Sequence, residues 1–208
     1  MPGTVEILLI LIILFPSFVI HEYAHAWTAN RLGDPTAKSM GRLTLNPIRH
    51  VDLFGTVLLP VLLIGLRLLG SPFPPIALAK PVPVNFARLR NPKRGSIYVG
   101  MAGPAVNVVV ALVASLLLQL SPHPYVETVL FIVIYINLVL AFFNMVPIPP
   151  LDGSRLVMGL LPNRQARAYS RLEPYGVFIV FALLPLGLFQ RIVLPAVEAT
   201  MTVLGVHV

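Results

Sequence analysis

The 208-residue chain contains no cysteine, which excludes disulfide frameworks, thiol nucleophiles and thiolate metal sites. Any metal it binds is held by His, Asp or Glu. Charge is nearly as scarce: Asp, Glu, Lys and Arg make up 11% of the residues, where a soluble domain carries about 25%. With 57% of the residues hydrophobic, there are too few polar side chains to cover a soluble globule. A mean hydropathy of +0.86 makes lipid the solvent for much of the surface. Acidic residues are the rarer sign, 8 against 15 basic, for a net charge of +7. No basic run is interleaved with aromatics, so the excess is assigned to loops flanking a membrane and not to a nucleic-acid partner. The same composition excludes disorder and collagen.

Long apolar runs are what the chain does have. A helix crossing about 30 Å of hydrocarbon needs about 20 residues, and the stretches 5–29, 97–119, 126–146 and 174–194 meet that requirement. The first is expected to be a retained helix, because no basic segment precedes residues 5–20 and no small-residue cleavage site follows them. A shorter apolar stretch, Asp52 to Leu69, is interrupted by Gly55, Pro60 and Gly65, and the apolar tail from Ile192 is interrupted by Pro195. Basic residues crowd three loops, with Arg31, Lys38, Arg42 and Arg49 in the first. The second holds Lys80, Arg88, Arg90, Lys93 and Arg94, and the third Arg155, Arg164, Arg167 and Arg171, whereas 120–125 has none. Placing all three on the cytoplasmic side leaves no single full crossing between 52 and 79, so that region is expected to enter and return on one side. Its broken backbone suits a position buried in protein or lining a cavity. The alternative is a true span that puts five basic charges outside. The expectation is an all-α, polytopic membrane helix bundle of about four to six segments, a single domain over 1–208 with no inserted soluble domain.

Chemistry concentrates in two places. Within the first apolar run stands His21-Glu22-Tyr23-Ala24-His25, an HExxH pattern. Residues four apart share a helix face, at the separation where two imidazoles bind one zinc ion, and Glu22 lies beside them, placed to act as a base without ligating. Two histidines and a glutamate in an apolar helix are costly unless partnered, which weighs against simple packed histidines. A catalytic zinc needs a third protein ligand. The candidates are Asp34, His50, Asp52, His123, Glu127, Asp152, Glu173 and His207. Depth favours Asp152, since the run before it ends at the border where the HExxH run ends, whereas His123 and Glu127 lie at the opposite border. Pro147, Pro149 and Pro150 stiffen the approach to Asp152, and Gly153 lets the chain turn after it. Asp152 as a plain N-cap of the following segment is the competing explanation.

The order His21-Glu22-Tyr23-Ala24-His25, Gly103-Pro104-Ala105-Val106-Asn107, then Asn144, Pro147, Pro149 and Leu151-Asp152-Gly153, resembles the site-2 protease family of intramembrane zinc metalloproteases. Gly41-Arg42-Leu43-Thr44-Leu45-Asn46-Pro47 and Ala79-Lys80-Pro81-Val82-Pro83-Val84-Asn85 resemble its connecting loops, and the likeness extends over about residues 15–160. HExxH alone is common to many zincins; its combination with GPxxN and PxPxLDG inside apolar segments is specific. The resemblance implies one Zn2+ per chain held by His21, His25 and Asp152, with Glu22 as the base. It also implies that Asn107 and Asn144 face the substrate. On that basis Asn107 is expected to share the developing oxyanion with the metal and Asn144 to bind substrate, while an interhelical hydrogen bond explains either asparagine equally simply. PDZ and nucleotide-sensing domains of larger members are absent from this sequence.

The implied activity is hydrolysis of a peptide bond in or near a transmembrane segment of another membrane protein, close to the cytoplasmic face. A helical substrate hides its carbonyls, so it has to be unwound. The proline-rich stretch Ile76 to Asn85 is either an edge for the unwound strand or a plain connector. Two other classes remain open from sequence: an ion carrier or channel that relays through the intramembrane His and Glu, and a silent relative that binds membrane helices without cutting them.

Overall fold

The computed structural model describes residues 4–50, 82–120 and 123–206, with Gly65 alone between them. Among these residues every regular element is a helix. They are α1 (Thr4–Arg31), a single turn α2 (Thr36–Ser39), α3 (Pro92–Leu120), α4 (Pro124–Asn144), α5 (Gly153–Leu160), α6 (Asn163–Ser170), α7 (Gly176–Leu183) and α8 (Leu194–Val203). Three are long and apolar enough to cross a membrane: Leu9–Arg31 within α1, then α3 and α4. Pro16 and Pro104 sit inside α1 and α3 without ending either helix. That is tolerated where neighbouring helices support the freed backbone.

The three long helices alternate in direction and pack on one another, with α3 against both α1 and α4. α1 ends beside the start of α3, since Arg90 N–H donates to the Leu32 carbonyl at 3.0 Å. The end of α1 and the start of α3 therefore lie at one end of the bundle. The proposed re-entrant segment itself, 52–79, lies outside the described residues apart from Gly65. The Lys93 ammonium donates to the Leu161 carbonyl at 2.7 Å, and the Tyr169 hydroxyl to the Pro147 carbonyl at 2.7 Å. These bonds bring α5 and α6 to that same basic end.

One expected span is corrected. Residues 174–194 do not form a continuous helix: α7 stops at Leu183, and Leu184 to Gly187 form a turn around Pro185, with Gly187 at φ +93°. At about 1.5 Å per residue α7 is roughly 12 Å long, too short to cross a bilayer. Hydropathy alone reads through this break because every residue from Gly176 to Leu188 is apolar. After the turn a wide π-type stretch, Phe189–Val193, leads into α8. Pro195 lies at the start of α8, directly after the π-type stretch. The apolar tail thus joins the core: Val193, Val197 and Met201 are buried with Ile134 and Leu138 of α4. The outer face of α3, with Val109, Leu112, Val113, Leu116 and Leu117, is exposed and apolar, as a lipid-facing surface should be.

Candidate metal centre

α1 places His21 and His25 one turn apart, with their ring centroids 4.7 Å from each other. Both rings point into the bundle toward α3, and both residues are buried, as is Glu22. Asp152 arrives from the loop after α4. Gly153 is what brings it there, because a Cβ at that position would collide with the carbonyl of Met145 and open the turn. Asp152 occupies the N-cap position of α5, yet its carboxylate makes no capping hydrogen bond. Its Oδ2 lies instead 3.0 Å from His21 Nε2 and 3.1 Å from His25 Nε2, and the two Nε2 atoms are 3.0 Å apart. The capping explanation of Asp152 therefore fails. The three residues that share one space are His21, His25 and Asp152, and they are the one such cluster among the described residues.

The donor chemistry fits zinc. His25 Nδ1 donates to the Val99 carbonyl at 2.7 Å, and a carbonyl only accepts, so in the neutral ring Nε2 carries a lone pair. His21 Nδ1 lies 2.7 Å from Asn107 Oδ1, which leaves its Nε2 in the same state. Three electron-rich atoms facing one another at 3.0–3.1 Å call for a cation between them. Ligands about 2.05 Å from a tetrahedral zinc lie about 3.3 Å apart, only a few tenths of an ångström wider than the observed triangle. The outer bonds from Nδ1 to a carbonyl and an amide oxygen are the kind that fix ligand histidines.

Gly103 forms the wall of this space. A Cβ there would lie 2.5 Å from Cε1 and Nε2 of His21 and nearer still to Nε2 of His25. Only glycine lets α3 come this close to both rings. Glu22 is held by its Oε2, which accepts the Val82 backbone N–H at 2.7 Å. The loop from Val82 to Asn85 is irregular, and its Asn85 N–H donates to Asp34 Oδ2 at 2.6 Å, anchoring it to the turn after α1. The earlier part of the proline-rich stretch, 76–81, lies outside the described residues.

The other candidates are placed elsewhere. Asp34 is buried and bound to Thr36 and Asn85. His50 is buried in a short turn, its Nε2 on the Thr44 carbonyl at 2.9 Å. Glu173 pairs with Arg155, while His123 and Glu127 begin α4 at the far end. Asp52 and His207 lie outside the described residues. Asn144 ends α4 with its Nδ2 on the Leu140 carbonyl at 2.9 Å. Asn107 is engaged at both ends, with Oδ1 toward His21 and Nδ2 donating to Asn137 Oδ1 at 2.9 Å. Sequence reasoning passed over Asn137 and Ser17; the signal available was an amide in the middle of the apolar helix α4, where a polar group needs a partner.

The profile of Peptidase family M50 matches residues 120–187, from the end of α3 through Asp152 to the turn after α7. YwhC of Bacillus subtilis, named "Putative zinc metalloprotease", is 39% identical over 191 residues, which cover 86% of this chain and 81% of YwhC. Rip2 of Mycolicibacterium smegmatis, named in the same words, is 32% identical over 174 residues, 81% of this chain and 63% of Rip2. Zinc metalloprotease MJ0392 of Methanocaldococcus jannaschii is 24% identical over 74% of this chain and 34% of its own length. No solved structure matches the chain.

Proposed function

Since the chain belongs to peptidase family M50, the site-2 protease family, we propose that it is a zinc metalloendopeptidase that cleaves membrane-protein substrates in or near a transmembrane segment. The observation that carries this reading is the convergence of His21 Nε2, His25 Nε2 and Asp152 Oδ2 within 3.1 Å of one another, with Glu22 beside them, in a bundle of membrane-length helices. Bound there, zinc would polarise the scissile carbonyl and acidify a water molecule. Glu22 is the general base: its carboxylate, held in place by the Val82 N–H, would accept a proton from the attacking water and pass it to the leaving amine. His21, His25 and Asp152 are the ligands. Asn107 steadies His21 through Oδ1, and one proton of its amide is spent on Asn137. Any share in the oxyanion falls to its second amide proton. Asn144, at the end of α4 on the approach to Asp152, contacts substrate.

The site lies toward the end of the bundle that carries Arg31, Arg90, Lys93, Arg94 and Arg155. By the excess of cations on cytoplasmic loops, that end faces the cytoplasm and cleavage occurs near that face. The substrate is a protein with a transmembrane helix that unwinds at the site.

The test is Glu22→Gln in the full chain, reconstituted with single-span substrates that carry helix-destabilising residues. Cleavage should fall by about 10² or more, while zinc content stays near one equivalent and an uncut complex can be captured. Failure of the zinc-loaded wild type to cut any substrate of the panel, together with ion flux into liposomes that Glu22→Gln abolishes, would replace the protease with a carrier.

A further inference from the structure

Behind His21 runs a chain of hydrogen bonds through three membrane helices. Asn107 on α3, Asn137 on α4 and Ser17 on α1 are all buried. His21 Nδ1 meets Asn107 Oδ1 at 2.7 Å, Asn107 Nδ2 meets Asn137 Oδ1 at 2.9 Å, and Asn137 Nδ2 meets Ser17 Oγ at 3.0 Å. Asn137 Nδ2 also donates to the Val133 carbonyl at 2.8 Å, and Ser17 Oγ donates to the Ile13 carbonyl at 2.9 Å.

The two backbone carbonyls set the direction of every bond. A carbonyl can only accept, so the atom of Asn137 on Val133 is its amide nitrogen, and its oxygen therefore faces Asn107. That oxygen requires the nitrogen of Asn107, which turns the Asn107 oxygen to His21. An oxygen there requires a proton on His21 Nδ1 and leaves Nε2 bare. Ser17 fits the same order, since its proton is committed to Ile13 and its oxygen accepts from Asn137. Asn107 alone does not carry this information, because an unsupported amide can turn over and offer Nδ2 to the ring. His21 would then hold its proton on Nε2, in the position the metal needs.

We propose that Asn137 is a positioning residue of the metal centre, which, acting through Asn107, keeps the His21 ring in the tautomer that presents an unprotonated Nε2 to the ion. The inference rests on the assignment of His21 as a ligand but not on any cleavage. It differs from a plain interhelical tie in what it does to zinc and to the ring.

The experiment compares wild type, Asn137→Leu and Asn137→Asp as full chains in detergent, with three readouts. These are zinc affinity by chelator competition, the ring 15N shifts of His21 in metal-free protein at alkaline pH, and thermal unfolding without metal. Leucine removes the oxygen that orders Asn107, so zinc affinity should fall about 10–100-fold and the His21 shifts should move from the Nδ1–H pattern toward Nε2–H. An aspartate at 137, whether protonated or ionised, still offers an oxygen that accepts from Asn107 Nδ2, so affinity and tautomer should stay near wild type even where stability drops. If Asn137→Leu does not fold, Asn137→Ala takes its place in the same measurements. Loss of thermal stability with zinc affinity and tautomer both unchanged would overturn the proposal and leave Asn137 as packing. A wild type that takes up no zinc would defeat the metal-centre assignment instead, and the ring shifts would still decide whether Asn137 sets the tautomer.

Discussion

Replacing Gly103 with alanine adds one methyl group between α3 and both imidazoles of the candidate metal centre. The new Cβ would sit 2.5 Å from two ring atoms of His21, where ordinary contact begins near 3.4 Å, so the ring has to retreat by 3.4 − 2.5 = 0.9 Å or the helices must part. Neither ring has slack. His21 is tied at Nδ1 to Asn107 and His25 to Val99, each at 2.7 Å, and Val99 lies on the helix that carries the methyl group. Ligand distances tolerate about 0.2 Å, so a displacement several times larger should lower zinc affinity by about 10² or more, the upper end of what disturbing a ligand's support causes. Overpacking should destabilise the metal-free protein by about 1–3 kcal/mol, or roughly 2–4 °C in Tm for each kcal/mol in a chain of this length. The assay is zinc stoichiometry and chelator competition on purified protein, beside thermal unfolding without metal. Val109→Ala, on the exposed face of the same helix, is the control and should match wild type in zinc. An alanine variant with one equivalent of zinc at unchanged affinity would show that the rings do not converge as described, and the argument for the centre would fail with it.

Asp152→Ala should lose zinc and activity together, whereas His50→Ala should keep both, because the His50 ring is turned to the Thr44 carbonyl; the reverse pattern in metal analysis would displace Asp152 as third ligand. Reporter fusions after residues 40, 90 and 165 should all read cytoplasmic and one at 123 external. A fusion at 90 reading on the opposite side from one at 40 would contradict the pairing of Leu32 with Arg90.

Membrane character was legible before any coordinates, because composition and run length are sums over the sequence and need no knowledge of contacts. The long helices were legible for the same reason, though α3 begins at Pro92, earlier than its apolar run. Where hydropathy stayed high but the backbone turned, at Leu184 to Gly187, the sum misled: Pro185 and Gly187 change direction without changing polarity. The segment 52–79 and the extent of the domain rest on sequence alone.

At the candidate metal centre, the sequence by itself marked out the histidine pair with Glu22 beside it, since helical periodicity alone puts residues 21 and 25 on one face. It narrowed the candidates for a third ligand by depth and by the rigid approach through Pro147, Pro149 and Pro150. Only the tertiary structure decided that the Asp152 carboxylate turns to the histidines and not to its own helix terminus, because both uses are open to an aspartate before α5. It also decided what supports the ligands. The Val99 carbonyl, the Val82 N–H, the missing side chain of Gly103 and the bonds from Ser17 through Asn137 and Asn107 come from four separate stretches of chain. A buried amide such as Asn137 signals locally that it needs a partner but not which one, since each contact depends on the distance between elements far apart in sequence, and that distance exists only once α1, α3 and α4 have packed.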